Sequence, residues 1–249
     1  MKVFIDIGAH HGQSSEVALD PKFGFDFVIA FEPSKASFSR LSKLRHPKLQ
    51  VHNLGLGNRT RQTLLYGAGE LGASIFELKK QLLAEQDLRQ EKVQIVSAAE
   101  QLGFILTETN EVFLKMNCEG SEVEVLESLL KAKMLPLVDF VYVDFDIKKV
   151  VNQEGVAQYF EKMLQDNEIK YVTPELLNMG GSEGVRKWLM REVRQVQTRP
   201  AAVIKYHLKL HLPLKLRFYS FARLFIPNLL RRRVFQVIKN STFRKWLLS

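Results

Sequence analysis

The sequence begins with a short apolar run that leads into a loop containing two glycines. The run KVFIDI spans Lys2–Ile7, and Gly8 and Gly12 follow it, before a segment of helical character. A strand, a glycine loop and a helix in this order are typical of the first unit of a parallel sheet, whose ligand binds beyond the carboxyl ends of the strands. We therefore expect a ligand to bind beside this loop.

Strand-like and helix-like segments alternate along the chain as far as residue 193. This alternation predicts an α/β fold of the doubly wound, Rossmann-like type, with helices on both faces of a parallel sheet. The predicted strands are 2–7, 27–31, 49–54, 112–116, 140–143 and 171–173, with 62–66 as a short hairpin partner, and the predicted helices include 34–45, 152–164 and 182–193.

A further helix is expected after Ser121. Ser121 and Glu124 have the spacing of a capping box, in which each side chain binds a free amide at the start of a helix. The apolar residues that follow recur at helical spacing and predict one buried face, made by Val123, Leu126, Leu129 and Leu130.

Two carboxylates indicate the ligand. Asp6, at the end of the first predicted strand, supplies a negative charge suited to an ammonium group. Glu32, in the FEPS stretch after the second strand, stands where a doubly wound fold binds the two hydroxyls of a ribose. The glycines Gly8 and Gly12 let the backbone pass close to a bound molecule. A ligand with a ribose and an amino-acid portion is predicted, which fits S-adenosylmethionine.

The third predicted strand ends at Asn53, Leu54 and Gly55, where this kind of fold lines an adenine pocket, and we assign Asn53 and Gly55 to cofactor binding. NAD is the competing ligand, because it also needs glycines and an acid for its ribose. Its fingerprint is G-x-G-x-x-G, whereas this loop reads GAHHG with His10 at the second glycine position, and Asp6 would repel a pyrophosphate.

The chain resembles the FkbM-type methyltransferases in four stretches that occur in order. These are FIDIGAHHGQSS, VIAFEPSKASFSRL, HNLGLGNRTRQTLLY and FLKMNCEGSEVEVLESL, and the resemblance extends over residues 2–173. It implies a doubly wound methyltransferase fold that uses S-adenosylmethionine. It also implies, as is usual in the family, methylation of a hydroxyl on a sugar, a polyketide or another small molecule.

Two positions depart from the family pattern. The first loop of the family reads D-I-G-A-N-x-G, where this chain has His10, and the later motif K-I-D-V-E-G-A-E becomes KMNCEGSE, with Asn117 in place of the aspartate. Asparagine carries no charge and is not a general base. Either the binding role survives through an amide hydrogen bond, or catalysis is lowered or lost.

Glu119 and His10 are the predicted catalytic residues, together with Asn117 as a residue of both the catalytic and the cofactor site. Glu119 follows the fourth main strand at the ligand-facing edge and is placed to take the proton of a hydroxyl nucleophile. Its alternative role is to orient the loop before Ser121. His10 could approach the acceptor from the other side, while His11 is expected to be an ordinary exposed loop residue.

Other polar residues are weaker candidates for the functional site. Asp144 and Asp146 end the fifth main strand and, with Asn117, offer oxygen ligands of the kind Mg²⁺ accepts, but contact with substrate or solvent is the simpler expectation, and no metal is assigned. Cys118 is expected to be a small buried residue. The glycine-rich stretches 67–74 and 178–184 are predicted loops on the substrate side, either lids or plain connections.

The positive charge of the chain is concentrated after residue 193. Of the 36 Lys and Arg residues, 13 follow Val193, and no Asp or Glu does. We therefore divide the chain into a methyltransferase-like domain, 1–198, and a basic extension, 199–249, that is also rich in aromatic residues. Such a composition suits an anionic membrane surface. Packing on the body or on a second subunit is an equal alternative, and nucleic acid comes third because no recognised module accompanies the charge.

The single cysteine and the absence of an apolar leader or a membrane-spanning stretch lead us to expect a cytoplasmic protein, peripheral on the membrane if the extension docks there. The expected partner is a small-molecule or saccharide acceptor, and the sequence does not specify the acceptor or the oligomeric state. The alternative function is a catalytically weakened donor-binding protein that acts as a membrane-associated or assembly partner.

Overall fold

The computed structural model describes residues 1–77, 89–153 and 155–197, with side chains to residue 193. Its strands are β1 (Lys2–Ile7), β2 (Phe27–Phe31), β3 (Leu49–His52), β4 (Gly55–Gly57), β5 (Arg61–Tyr66), β6 (Gln90–Ser97), β7 (Glu111–Met116), β8 (Phe140–Val143) and β9 (Tyr171–Val172). Its helices are α1 (Gln13–Leu19), α2 (Lys35–Leu41), α3 (Ala98–Leu102), α4 (Glu122–Lys131), α5 (Val156–Asp166), α6 (Pro174–Leu177) and α7 (Gly181–Gln197).

The main sheet is six-stranded, in the order β3-β2-β1-β7-β8-β9, and every pair within it is parallel. Helices α3, α4 and α5 pack on one face, and helices α1, α2 and α7 pack on the other. The predicted doubly wound α/β fold is confirmed. Strands buried on both faces are continuous apolar runs, which explains why the sequence indicated them.

A second, three-stranded sheet has the order β4-β6-β5 and differs from the sequence expectation. The predicted hairpin partner, β5, pairs antiparallel with β6, a strand that was not predicted. Only Val93 and Ile95 of the first six residues of β6 are fully buried, and charged or amide side chains alternate with them. The predicted third strand, 49–54, ends earlier, at His52, because the chain turns at Asn53 and Leu54, and β4 after this turn was not predicted.

The predicted capping box is wrong. Ser121 does precede α4, but its side chain makes no capping hydrogen bond. The carboxylate of Glu124 instead accepts two hydrogen bonds of 2.8 Å from Arg61. The expected apolar face is present in part, because Leu126 and Leu129 are fully buried.

The basic extension, and with it the predicted boundary at 198/199, lies outside the described residues. Among the residues that are described, no helix is both long and apolar enough to cross a membrane.

Candidate active site

A cleft lies beyond the carboxyl ends of β1, β2 and β7 and holds about 750 Å³ of space, counting its open mouth. Six of the residues assigned from the sequence line it: Gly8, His10, Glu32, Gly55, Asn117 and Glu119. Asp6, Gly12 and Asn53 are not among the lining residues, and each has a structural role behind the cleft.

Glu32 is held at the cleft by two backbone amides. Its Oε2 accepts a hydrogen bond from the N–H of His10, and its Oε1 accepts one from the N–H of Ser34, both at 2.8 Å. The side chain is 6% exposed, and burial raises the pKa of the carboxyl to about 7. Each oxygen keeps a second lone pair with which it can accept a hydrogen bond from a hydroxyl group, as binding to a ribose requires.

Asn53 supports this arrangement from outside the cleft. Its Nδ2 donates to the carbonyl oxygens of Glu32 and Pro33, each at 3.0 Å. The side chain therefore fixes the turn after β2 rather than facing the ligand. Gly55, at the start of β4, lines the cleft beside Pro33 and Ile95.

The two glycines of the first loop are required by protein contacts. A Cβ on Gly8 would lie 1.9 Å from the carbonyl oxygen of Asn117, so Gly8 lets the ends of β1 and β7 approach each other. A Cβ on Gly12 would lie 2.4 Å from the Cδ1 atom of Leu44, beneath α2. Both have a positive φ, of 74° and 96°, which glycine adopts without strain.

Asp6 is neutralised inside the sheet. Its Oδ1 lies 2.8 Å from Nζ of Lys115, and its Oδ2 accepts a hydrogen bond of 2.7 Å from the hydroxyl of Ser15. Lys115 also donates to the carbonyl oxygen of Gly8 at 2.8 Å. The charge predicted to hold a ligand ammonium therefore belongs to a buried ion pair that shapes the first loop.

His10 and His11 are stacked, with ring centroids 3.6 Å apart. Burial, followed by the charge effects of His11 and Arg40, lowers the pKa of His10 to about 4, so the ring is neutral near pH 7. Its Nε2 is buried and has no hydrogen-bond partner among the described residues. His11 points toward α2, where its Nε2 lies 3.2 Å from Arg40.

The loop after β7 is organised by Glu122, a residue the sequence analysis did not single out. The carboxylate of Glu122 is fully buried and accepts hydrogen bonds from the N–H groups of Cys118 and Gly120, at 2.8 and 3.0 Å. Burial and the nearby charge of Asp146 raise its pKa to about 8. The position of Glu122 in the EGSE stretch, three residues after Glu119, was the sequence feature that could have identified it.

Within this loop, Glu119 and Asn117 face the cleft. Glu119 has a φ of 58°, which an L residue rarely adopts. The hydrogen bonds that Glu122 accepts from the residues on either side of Glu119, which we call the Glu122 clamp, maintain this conformation. The Oδ1 of Asn117 is buried and, within the described part of the chain, has no hydrogen-bond partner. Burial also raises the pKa of the Cys118 thiol, consistent with an inert side chain.

The glycine-rich stretch 67–74 covers the cleft, and four of its residues, 70–73, line it. The hydroxyl of Ser74 donates to the carbonyl oxygen of Glu119 at 2.6 Å. Phe76 lies over Gly120, where a Cβ would meet the ring at 3.0 Å. The other predicted loop, 178–184, is wrong in part: only 178–180 connect α6 to α7, since α7 begins at Gly181, and the stretch does not line the cleft.

Asp144 and Asp146 both follow β8, but they differ in burial and in the residues they contact. Asp146 is 1% exposed and lies 2.5 Å from Nζ of Lys149. Asp144 is half-buried, and burial raises the pKa of its carboxyl. The described residues contain no group of three His, Cys, Asp or Glu side chains placed to hold a metal ion.

The charge of the cleft is one-sided. Three acidic residues, Glu32, Glu70 and Glu119, line it, and no Lys or Arg from the described residues does. The buried acceptor oxygen of Asn117 adds to the same polarity. A ligand with positive charge and hydroxyl donors fits these residues, whereas a pyrophosphate would be repelled.

A family model described as a methyltransferase FkbM domain matches residues 6–178 of the chain. Among solved structures, the chain is similar to the crystal structure of methyltransferase FkbM from Methylobacillus flagellatus KT, with 18% identity and a TM-score of 0.34. The match covers 55% of this chain and 31% of that one, so the matched part spans about a third of that chain. No curated protein matches the chain.

Proposed function

Because the chain belongs to the FkbM methyltransferase family, we propose that it transfers the methyl group of S-adenosylmethionine to a hydroxyl group of a saccharide or another small molecule. The observation that carries the proposal is the acidic lining of the cleft by Glu32, Glu70 and Glu119, without a lysine or arginine from the described residues. S-adenosylmethionine has a sulfonium, an ammonium and a ribose diol, and each of these groups is complementary to carboxylates.

The bound donor supplies an electrophilic methyl group whose transfer converts the sulfonium to a neutral thioether. In this proposal the Glu32 carboxylate binds the ribose hydroxyls and Asn117 Oδ1 accepts a hydrogen bond from the ammonium. Alignment of the two reactants supplies much of the acceleration in a direct displacement. The segment 67–76, which covers the cleft, limits the access of water to it.

Glu119 is the proposed base that takes the proton of the acceptor hydroxyl as the new oxygen–carbon bond forms. Its carbonyl is fixed by Ser74 and its backbone by the Glu122 clamp, so its side chain starts from a defined position. His10, with a pKa of about 4, is neutral at the working pH and serves as a hydrogen-bonding wall of the cleft.

Calorimetric titration with S-adenosylmethionine and S-adenosylhomocysteine tests the donor. We expect micromolar binding that Glu32→Ala weakens tenfold or more, about 1.4 kcal/mol. Asp20→Ala, on the far side of α1 and outside the cleft, is the matched control and is expected to leave affinity unchanged. No binding by the folded wild-type protein would remove the proposal, and binding of NAD instead would replace it.

The location and partners belong to the same proposal. We place the protein in the cytoplasm, with residues 199–249 contacting an anionic membrane surface through their cations and aromatic side chains. An acceptor that is itself attached to a lipid would be accessible to an enzyme held there. The measurement is partition of the full chain between buffer and vesicles with or without an anionic lipid.

A further inference from the structure

A second concentration of positive charge lies within the folded body. From Pro33 to Gly69 the chain carries seven Lys and Arg residues and no Asp or Glu. Five of the seven are exposed on α2 and the turn that follows it: Lys35, Arg40, Lys43, Arg45 and Lys48. We call these five residues the α2 cation surface. It stands out because the chain before residue 193 has more acids than bases.

The α2 cation surface is poorly neutralised by the protein itself. Lys35 lies 3.9 Å from Glu91, with 76% of its side chain exposed, which is a weak ion pair. Nζ of Lys48 donates to the carbonyl oxygen of Phe25, a neutral acceptor. The part of the chain that the structure describes places no carboxylate within ion-pair distance of Arg40, Lys43, Arg45 or Lys48.

The surface belongs to the same helical layer as the end of the described chain. Leu41 of α2 packs on Ala30 of β2, while α1 and α7 pack on Phe4 and Val28 on the same face of the sheet. The partly buried Leu49 contacts both groups of residues. Helix α7, the last described element, therefore lies in the same layer as α2.

We propose that the α2 cation surface docks on an anionic phospholipid bilayer. The attractions of several lysine and arginine side chains to such a surface add together, so four or five cations without a close carboxylate partner give a substantial attraction. The bilayer supplies the negative charge that the protein lacks here.

A bilayer fits this layer better than a nucleic acid does. Proteins that hold single strands add aromatic side chains on which bases stack. Among the described residues of α1, α2 and α7, no aromatic side chain is exposed, since Phe38 is half-buried and Trp188 is 1% exposed. The exposed Tyr159 lies on α5, on the opposite face.

Charge reversal at Lys43 and Arg45 tests the proposal, because both are exposed and neither contacts the cleft. The full-length variant Lys43→Glu/Arg45→Glu is compared with the wild type for co-sedimentation with vesicles that contain one third phosphatidylglycerol. We expect the partition coefficient to fall at least tenfold. Vesicles of phosphatidylcholine alone are expected to bind neither protein.

The matched control is Lys133→Glu/Lys162→Glu, which changes the net charge equally on the opposite layer and is expected to keep at least half of the binding. An equal loss in both variants, no loss in the first, or a stronger and equally sensitive binding of duplex DNA or RNA would overturn the proposal. Donor titration of the same variants separates the outcomes, because docking and donor binding use different residues.

Discussion

Asp6 and Lys115 lie side by side in the register of β1 and β7, and their charged atoms are 2.8 Å apart with 0% and 5% of the side chains exposed. The carboxylate that the sequence offered as a ligand contact is thus committed to the protein. The pair also ties the loop after β1 to β7 through the hydrogen bond from Lys115 to Gly8. Asp6 acts on the ligand through the shape of that loop.

Lys115→Met is expected to reduce the free energy of unfolding by about 3–5 kcal/mol, because it leaves the buried Asp6 charge without a partner. The double variant Asp6→Asn/Lys115→Met removes both charges and should recover a large part of this loss. Urea denaturation followed by circular dichroism measures both. A single variant as stable as the wild type would contradict the buried pair.

The pKa of Glu32 makes donor affinity depend on pH. The carboxylate is the better acceptor for ribose hydroxyls, and a pKa of about 7 means that it forms only as the pH rises through neutrality. Affinity for S-adenosylmethionine should increase about tenfold between pH 6 and pH 8. Glu32→Gln, which does not titrate, should bind weakly with little change over this range. Titration calorimetry across the range is the measurement.

The raised pKa of Glu32 makes the free energy of unfolding decrease with pH, whereas donor affinity increases with pH. A carboxyl group whose pKa is raised by folding is less easily ionised in the folded state, so its contribution to stability falls as the pH rises from about 4.5 to about 7. Glu122 acts in the same direction over a window that extends to about pH 8. The difference between wild type and Glu32→Gln isolates the part due to Glu32.

Asn117→Asp restores the acid of the family pattern at a position that lines the cleft. A new negative charge there should favour the sulfonium of S-adenosylmethionine over the neutral sulfur of S-adenosylhomocysteine, by about threefold or more in relative affinity. Asn117→Ala removes the amide without adding charge and should leave the preference unchanged. Equal affinities for the two ligands in Asn117→Asp would show that a charge at this position does not act on the sulfonium.

Gly8→Ala should be much more damaging than Gly24→Ala, although both glycines have a similar positive φ, of 74° and 67°. A Cβ at Gly8 would lie 1.9 Å from the Asn117 carbonyl oxygen, whereas a Cβ at Gly24 meets nothing within 4 Å. The Gly24 variant should lose only the ~1–2 kcal/mol of left-handed backbone strain. Thermal unfolding of the two proteins compares them, and equal losses would contradict the close approach at Gly8.

The sequence predicted the main sheet because its strands are buried on both faces. Phe27–Phe31 and Phe140–Val143 have the same bounds in prediction and structure, since each is an unbroken apolar run between two acidic residues. β6 was missed because its charged side chains face solvent. It pairs with β5, which ends more than twenty residues earlier in the chain, and no local pattern reveals such a pairing.

The site was predictable where the position along a strand decides the location. Glu32, Asn117 and Glu119 follow strands, and parallel strands end at one edge, so these residues lie around the same cleft. Partners were not predictable. The lysine inside the apolar stretch VFLKM was a signal for a buried charge, but the identity of its partner, Asp6, depends on which strand lies next to β7.

The place of β1 between β2 and β7 also affects how the protein is made. Domains generally fold during synthesis from the N-terminal end. When β1 and β2 leave the ribosome, one edge of β1 is unpaired and Asp6 has no cation until Lys115 emerges. We therefore expect the segment that carries β1 and β2 to reach its native form only once β7 is available.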